Sequence, residues 1–166
     1  MLPISRDTPR KSRSIPKFLV TGSNGQVGFE LRRSLAPLGE VIALDRATCD
    51  LTQLAAVRRV VREHRPNVIV NAAAYTAVGQ AEGDAATAFA VNATAVGVLA
   101  EEARALGGLL VHYSTDYVFD GTKPEPYVET DATNPQTVYG KSNLAGEHAI
   151  AASGAKAFVL RTSWVA

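Results

Sequence analysis

The sequence contains a single cysteine, Cys49, so no internal disulfide can form and the chain fits a reducing compartment such as the cytoplasm. No apolar run is long enough to cross a bilayer. Neither sign of charge dominates: 17 Lys and Arg stand against 16 Asp and Glu, a formal net charge of +1, so no global field draws the chain to nucleic acid or a membrane. The three histidines, His64, His112 and His148, are scattered and form no metal-ligand spacing, so each reads as a packing or surface residue. No internal repeat is present, which excludes solenoids and propellers. What remains is 166 residues, 46% of them hydrophobic, enough for one globular domain with a real core.

The richest stretch is residues 17–28, KFLVTGSNGQVG. Residues 18–20 form a short apolar, β-prone run, as in a strand buried on both faces. Three glycines follow at G-x-x-G-x-x-G spacing, and Val27, Leu31, Leu35 and Leu38 then recur at helical intervals, predicting a helix over 29–38. A strand, a glycine turn and a helix aim unpaired backbone N–H groups at an anion, and the helix start adds partial positive charge. Gly22 permits the tight turn, Gly25 lets the backbone approach two phosphates, and Gly28 lets helix and strand pack closely. The pattern predicts a dinucleotide site.

Further elements alternate in kind. Residues 40–44 read as a second buried strand ending at Asp45 and Arg46. Asp45 lies about twenty residues past the glycines, where a carboxylate grips a ribose, while Arg46 suits a 2′-phosphate. The pair leaves NADH and NADPH both open, and two solvated loop charges fit as well. Asp50, Leu51 and Thr52 look like a loop and helix cap before a helical stripe of Leu54, Val57, Val60 and Val61. Pro66 stops that helix, and residues 67–70 make a third strand running into Asn71, Ala72, Ala73, Ala74 and Tyr75. A long helix is expected over 81–106, with Asn92 in line with its apolar stripe, where a polar group must find partners and braces backbone or water. Residues 109–113 form a fourth strand ending in Ser114, Thr115 and Asp116, at the mouth of an open sheet. A long loop reaches Pro135, a helix opens at Tyr139, and 157–160 is a fifth strand. Alternation predicts an α/β Rossmann-like doubly wound parallel sheet, strand order 3-2-1-4-5, helices on both faces. Residues 1–16 are expected to be a flexible basic leader and 17–166 the NAD(P)-binding domain.

With these pieces placed, the sequence resembles the extended short-chain dehydrogenases, and within them the dTDP-4-dehydrorhamnose reductase family. The strings that carry the resemblance are TGSNGQVG at 21–28, NAAAYTAV at 71–78, AVN at 90–92, STDYVFDG at 114–121, YGKSNLAGE at 139–147 and RTSWV at 161–165. The resemblance implies that NADPH or NADH reduces the ketone of a dTDP-linked 4-keto-6-deoxysugar, dTDP-4-dehydro-L-rhamnose. It implies catalytic roles for Thr115, which orients the carbonyl, and Tyr139, which gives the proton. Asp116 and Trp164 would contact or wall the sugar beside them. Cofactor contacts are implied along the first loop at Gly22, Asn24, Gly25, Gln26 and Val27, and after the second strand at Asp45, Arg46, Asp50 and Leu51. Further contacts are implied at Ala72, Ala73, Ala74 and Tyr75, and at Asn92, Ser114, Tyr139 and Asn143.

Three features depart from the family. Its Tyr-x-x-x-Lys pair shares one helix face, but Asn143 stands at the lysine position, and Lys141 points to nearly the opposite side. A lysine ammonium lowers a nearby phenol's pKa from about 10, so turnover is expected to be slower by about 10²-fold. Gly79 replaces a usual acidic residue. Family members continue past the RTSWV strand into a smaller substrate domain, expected to be absent here. The last strand is then an edge that can pair with another chain as a homodimer. Two other readings share the cofactor grip: a non-catalytic NADP-binding regulatory subunit, favoured by Asn143, and a nucleotide-sugar epimerase or dehydratase, which the STDYVFDG and RTSWV strings oppose.

Overall fold

A computed structural model describes residues 15–163. The leader expectation falls almost wholly outside the described residues, and so does Trp164.

Five strands, β1 (Lys17–Thr21), β2 (Glu40–Leu44), β3 (Val68–Asn71), β4 (Leu109–Thr115) and β5 (Lys156–Thr162), form one parallel sheet. Between them run α1 (Gln26–Leu35), α2 (Leu54–His64), α3 (Val78–Ala81), α4 (Ala85–Phe89), α5 (Ala95–Ala105) and α6 (Val138–Ser153). Leu19, Ile69 and Leu110 face α2, α5 and α6, packing on Val57, Val61, Leu99 and Ile150. Helix α1 lies on the opposite face, against β1 and β2. Helices therefore flank both faces of a parallel sheet, as alternation predicts.

Strand order corrects the expected 3-2-1-4-5: it is 2-1-3-4-5. β3 inserts beside β1 on the side away from β2. The cause lies in both strands. β3 is apolar without alternation and buried along most of its length, as a central strand must be, whereas β2 leaves Glu40 and Ala43 exposed, as an edge strand can. The segment after β2 folds on itself, with Thr48 donating to Asp45 and Thr52 to Asp50, so it adds no strand outside β2. The chain direction thus reverses after β2.

The expected helix over 81–106 is three pieces. A short turn, α3, ends before Glu82 and Gly83, and Asp84 then caps α4, its carboxylate accepting from the Thr87 N–H at 3.4 Å. A π-helical turn, Ala90–Thr94, joins α4 to α5. The wider turn shifts the helical phase, so Phe89 is 37% exposed while Asn92 points inward. Helix α1 starts at Gln26, three residues earlier than its apolar spacing suggests, because Gly25 already takes the N-cap position.

A polar rung crosses the sheet centre. Thr21 on β1 donates to Asn71 on β3, and the Asn71 amide donates to His112 Nδ1 on β4 at 2.9 Å. All three side chains are buried and sit at matching register positions. Because Nδ1 accepts, the neutral imidazole carries its proton on Nε2, which has no partner. Burial holds His112 neutral and pushes its pKa down to about 4, against a smaller upward pull from Glu147.

Candidate cofactor and active site

The strands' C-terminal ends open onto one cleft of about 1230 Å³. Its walls come from the glycine turn, the ends of β2, β3, β4 and β5, and the first turns of α6. A crevice there, between β1 and the strand on either side of the direction reversal, is where open α/β sheets bind ligands.

The glycine turn is shaped for a backbone-lined anion cradle. Gly22 has φ +66°, and a Cβ there would lie 2.7 Å from the Ala73 nitrogen. A Cβ on Gly28 would lie 2.1 Å from the Gly22 oxygen, so α1 starts hard against the turn. Gly25 N-caps α1 without any side-chain acceptor, which leaves the first N–H groups of the helix directed at the cleft. Asn24, Gly25, Gln26 and Val27 all line it. This set of amides, with no carboxylate in the first turn, fits the pyrophosphate of a dinucleotide.

Asp45, Arg46, Asp50 and Leu51 form the wall beyond β2. The Asn24 amide donates to Asp45 Oδ2 at 2.9 Å, which ties the glycine turn to β2. The Thr48 N–H and hydroxyl both donate to Asp45 Oδ1 at 2.9 Å, and these bonds hold the Asp45 carboxyl below the usual carboxylate range. Arg46 stands 85% exposed, with Nε 3.9 Å from Asp50 Oδ2. Across the cleft, Ala72, Ala73, Ala74 and Tyr75 carry the chain away from β3. Their path is held from behind by Asn92, whose Oδ1 accepts from the Tyr75 N–H at 2.7 Å and whose amide donates to the Tyr75 carbonyl at 3.1 Å. The same amide donates to Ser142 Oγ at 3.0 Å. Asn92 is 1% exposed and lies behind the cleft lining, where it braces backbone, as its sequence position suggests.

The end of β4 and the start of α6 meet at the cleft's other side. Thr115, Asp116 and Tyr139 line it together, with Tyr117 beside them. The Thr115 hydroxyl accepts from the Tyr117 N–H and donates to Asp116 Oδ1, each at 3.1 Å. Thr137 N-caps α6, its hydroxyl accepting from the Gly140 N–H at 3.0 Å, and this sets Tyr139 in the first turn. The Tyr139 ring meets Tyr117 edge to face, centroids 5.5 Å apart. Burial raises the Tyr139 phenol above its ordinary range, the Asp116 carboxylate and Tyr117 push the same way, and a hydrogen bond shared with Thr115 pulls back. Asn143 faces the cleft one turn on, and its amide donates to the Tyr139 carbonyl at 2.9 Å. Lys141 is exposed. No ammonium or guanidinium lies among the causes acting on the phenol.

Behind this pair sits a network that sequence reading missed. Glu147 on α6 accepts from the Ser114 hydroxyl at 2.6 Å and from Arg161 of β5 through two bonds, at 2.9 and 2.6 Å. Burial would raise the Glu147 carboxyl, but Arg161 and Ser114 outweigh it and hold the group below its ordinary range. The Arg161 guanidinium lies 5.0 Å from the centre of the Phe119 ring, which stacks on Tyr127 at 4.2 Å. Asp120 accepts from Thr122, Tyr127 and Asn134, so the long loop over 119–135 is laced to itself and pinned to the sheet. No local sequence signal marks it, because Ser114, Glu147 and Arg161 lie on three separate elements, β4, α6 and β5. Thr162 and Ser163 complete the cleft lining.

Among the described residues no group of His, Cys, Asp and Glu could hold a metal ion, and no helix is long and apolar enough to cross a membrane.

Comparison with known proteins agrees with this geometry. The family described as RmlD substrate binding domain matches residues 16–166. A dTDP-4-dehydrorhamnose reductase from Burkholderia thailandensis is 57% identical over 149 residues, 90% of this chain and 50% of the relative. One from Salmonella typhimurium is 52% identical over 152 residues, 89% of this chain and 51% of the relative. The crystal structure of the Bacillus anthracis dTDP-4-dehydrorhamnose reductase in complex with NADP superposes with a TM-score of 0.88 at 37% identity, covering 93% of this chain and 55% of that one. The chain thus spans about half the length of the relatives it matches. With its Rossmann-like sheet, its glycine cradle and a match over nearly its whole length, the chain belongs to the RmlD substrate binding domain family.

Proposed function

We propose that the chain is the cofactor-binding half of an NAD(P)H-dependent oxidoreductase that reduces the 4-ketone of a dTDP-linked 6-deoxysugar, dTDP-4-dehydro-L-rhamnose to dTDP-L-rhamnose. The observation that carries this reading is that Thr115 and Tyr139 share one cleft with the glycine turn. The substrate is that of the similar proteins, which are dTDP-4-dehydrorhamnose reductases. A cytoplasmic location fits the lone buried thiol.

Gly22, Asn24, Gly25, Gln26 and Val27 would hold the pyrophosphate, with Asp45 and Arg46 at the adenosine ribose. Ala72, Ala73, Ala74, Tyr75, Ser114 and Asn143 would line the nicotinamide end. When bound, the cofactor supplies a hydride. Thr115 holds the substrate carbonyl by its oxygen, with Asp116 against the sugar. Tyr139 gives its phenolic proton to that oxygen as negative charge grows there. A phenol raised above its ordinary pKa stays protonated at neutral pH, so the donor is present. The weakness follows proton loss. The phenolate left behind has a half-buried ring, a nearby carboxylate and the uncharged Asn143 around it. Asn143 therefore predicts slow turnover, and it equally suits a non-catalytic regulatory subunit that binds the same cofactor.

Titrating the protein with NADPH and NADH by fluorescence, then adding the dTDP-linked keto sugar, tests both. Binding followed by cofactor oxidation supports a reductase. Binding without oxidation favours the regulatory reading. Absence of binding to either cofactor overturns the site.

A further inference from the structure

Helix α6 carries Tyr139, Asn143 and Glu147 four residues apart, so the three side chains share one face. The first two line the cleft, and the third meets the sheet below it. Elsewhere α6 rests on its neighbours through glycine backbone. A Cβ on Gly140 would lie 2.2 Å from the Tyr117 oxygen, and one on Gly146 would lie 2.2 Å from the Asn92 oxygen. These contacts fix how near the helix lies; with no side chain interlocking there, they do little to stop it sliding along its axis. Glu147 does stop it. Among the described residues, its carboxylate is the one side chain of α6 that hydrogen-bonds the sheet. It grips Ser114 and Arg161, which are register partners on β4 and β5. The next pair in that register is Thr115 and Thr162, both at the cleft. One carboxylate therefore ties the helix of Tyr139 to the strand of Thr115, a single residue short of it.

We propose that Glu147 is a positioning residue: with Arg161 and Ser114 it fixes the height of α6 against β4 and so keeps the Tyr139 hydroxyl on Thr115. The inference rests on the reading of Thr115 and Tyr139 as the reacting pair. Three hydrogen bonds of 2.6 to 2.9 Å onto one carboxylate are directional and leave little play. The Glu147 side chain is only 10% exposed. An ion pair so buried adds little stability over apolar side chains of the same size, so what it supplies here is precision of placement. Glu147 lies about 12 Å along the helix from Tyr139, and a rigid helix passes an axial shift on undiminished. A misplacement of about 1 Å between reacting groups is worth about 10²-fold in rate. The charge of Glu147 does not reach the phenol: the groups acting on it are Asp116 and Tyr117 of the tight turn Asp116–Val118 and Thr115 of β4. Around Glu147 itself stand Ser114 and His112 of β4 and Arg161 of β5, and Glu129 of the long loop acts on Arg161 in turn.

The test replaces the ion pair by apolar residues of similar volume, Glu147→Leu together with Arg161→Met, which leaves no orphaned charge. Alkaline difference absorbance against the same protein carrying Tyr139→Phe reads one phenol. Its titration midpoint should rise by about one pH unit as the Thr115 bond is lost. The urea midpoint should stay within about 0.5 M of the parent's, and NADPH affinity within about two-fold. The pair carries no net charge, so electrostatics alone predicts no shift, and a rise reports geometry. An unmoved or lowered phenol in the folded double variant overturns the proposal. So does a rise that comes with a collapsed urea midpoint, which would make the pair merely structural. Ser114→Ala, which cuts only the tie to β4 and leaves the ion pair whole, decides the matter if the double variant does not fold. There the phenol should rise by about half a pH unit, and an unchanged titration refutes the positioning role. In a sample that oxidises NADPH with the keto sugar, the double variant should lose about 100-fold in kcat with KM little changed; a raised KM at constant kcat counts against it. If the unsubstituted protein binds neither NADPH nor NADH, the cofactor reading falls, while the phenol titration still decides this proposal.

Discussion

Replacing Asn143 by lysine should lower the pKa of the Tyr139 phenol by about two units. Residues 139 and 143 stand four apart on α6, and both line the cleft. Side chains at that spacing have Cβ atoms about 5–6 Å apart, and Asn143, though only 1% exposed, forms part of the cleft wall. Two unit charges about 6 Å apart, at an effective dielectric near 20, attract by about 3 kcal/mol. One pKa unit is about 1.4 kcal/mol, so the shift is roughly two units downward, the ammonium favouring the phenolate. Alkaline difference absorbance reads this directly. Subtracting the Tyr139→Phe protein isolates one phenol from the five tyrosines of the chain. Asn143→Met, without charge, should leave the titration within half a unit of the starting protein. The reasoning fails if the lysine variant keeps its fold but titrates no lower than the methionine variant. In a sample that oxidises NADPH with the keto sugar, the same exchange should raise turnover at neutral pH by about 100-fold.

Gly22→Ala forces a Cβ to within 2.7 Å of the Ala73 nitrogen at φ +66°, so about 1–3 kcal/mol of stability and the NADPH fluorescence signal should both be lost. His112, depressed to about 4 in the fold against 6.5 unfolded, contributes stability that is present above pH 6.5 and lost as pH falls towards 4. Urea melts should show about 2 kcal/mol less stability at pH 5 than at pH 7, and His112→Gln should flatten that slope; an equal slope would count against the assignment. Glu147→Gln leaves the Arg161 guanidinium without its carboxylate and should cost about 3 kcal/mol. In a double-mutant cycle with Arg161→Ala the losses should be clearly less than additive, and simple additivity would rule out the coupling.

Local features of the site were legible because local chemistry fixes them. The glycine spacing follows from steric contacts within one turn, and Tyr139 and Asn143 lie on one helix face by periodicity alone. Strand existence was also clear, since apolar runs such as residues 68–70 have few alternatives. Strand order was not. Whether β3 lies outside β2 or beside β1 depends on what segment 45–53 does, and its Asx-type turns look like any polar loop. The breaks in the expected helix over 81–106 escaped for a different reason: a single π turn at Ala90–Thr94 brings no marked change in composition. Glu147, Ser114 and Arg161 stand 33 and 14 residues apart, so no window of sequence holds the network they form.

The buried rung of Thr21, Asn71 and His112 has a consequence for how the sheet assembles. Apolar strands of similar composition can slide past one another at little cost, since one valine replaces another. Here a shift of one residue between β1 and β3, or between β3 and β4, would leave an amide, a hydroxyl or an imidazole facing hydrocarbon, at about 1–3 kcal/mol for each orphaned group. Three polar side chains thereby act as alignment pins, rejecting mispaired sheets during folding and fixing the height at which the glycine turn and the end of β4 face one another.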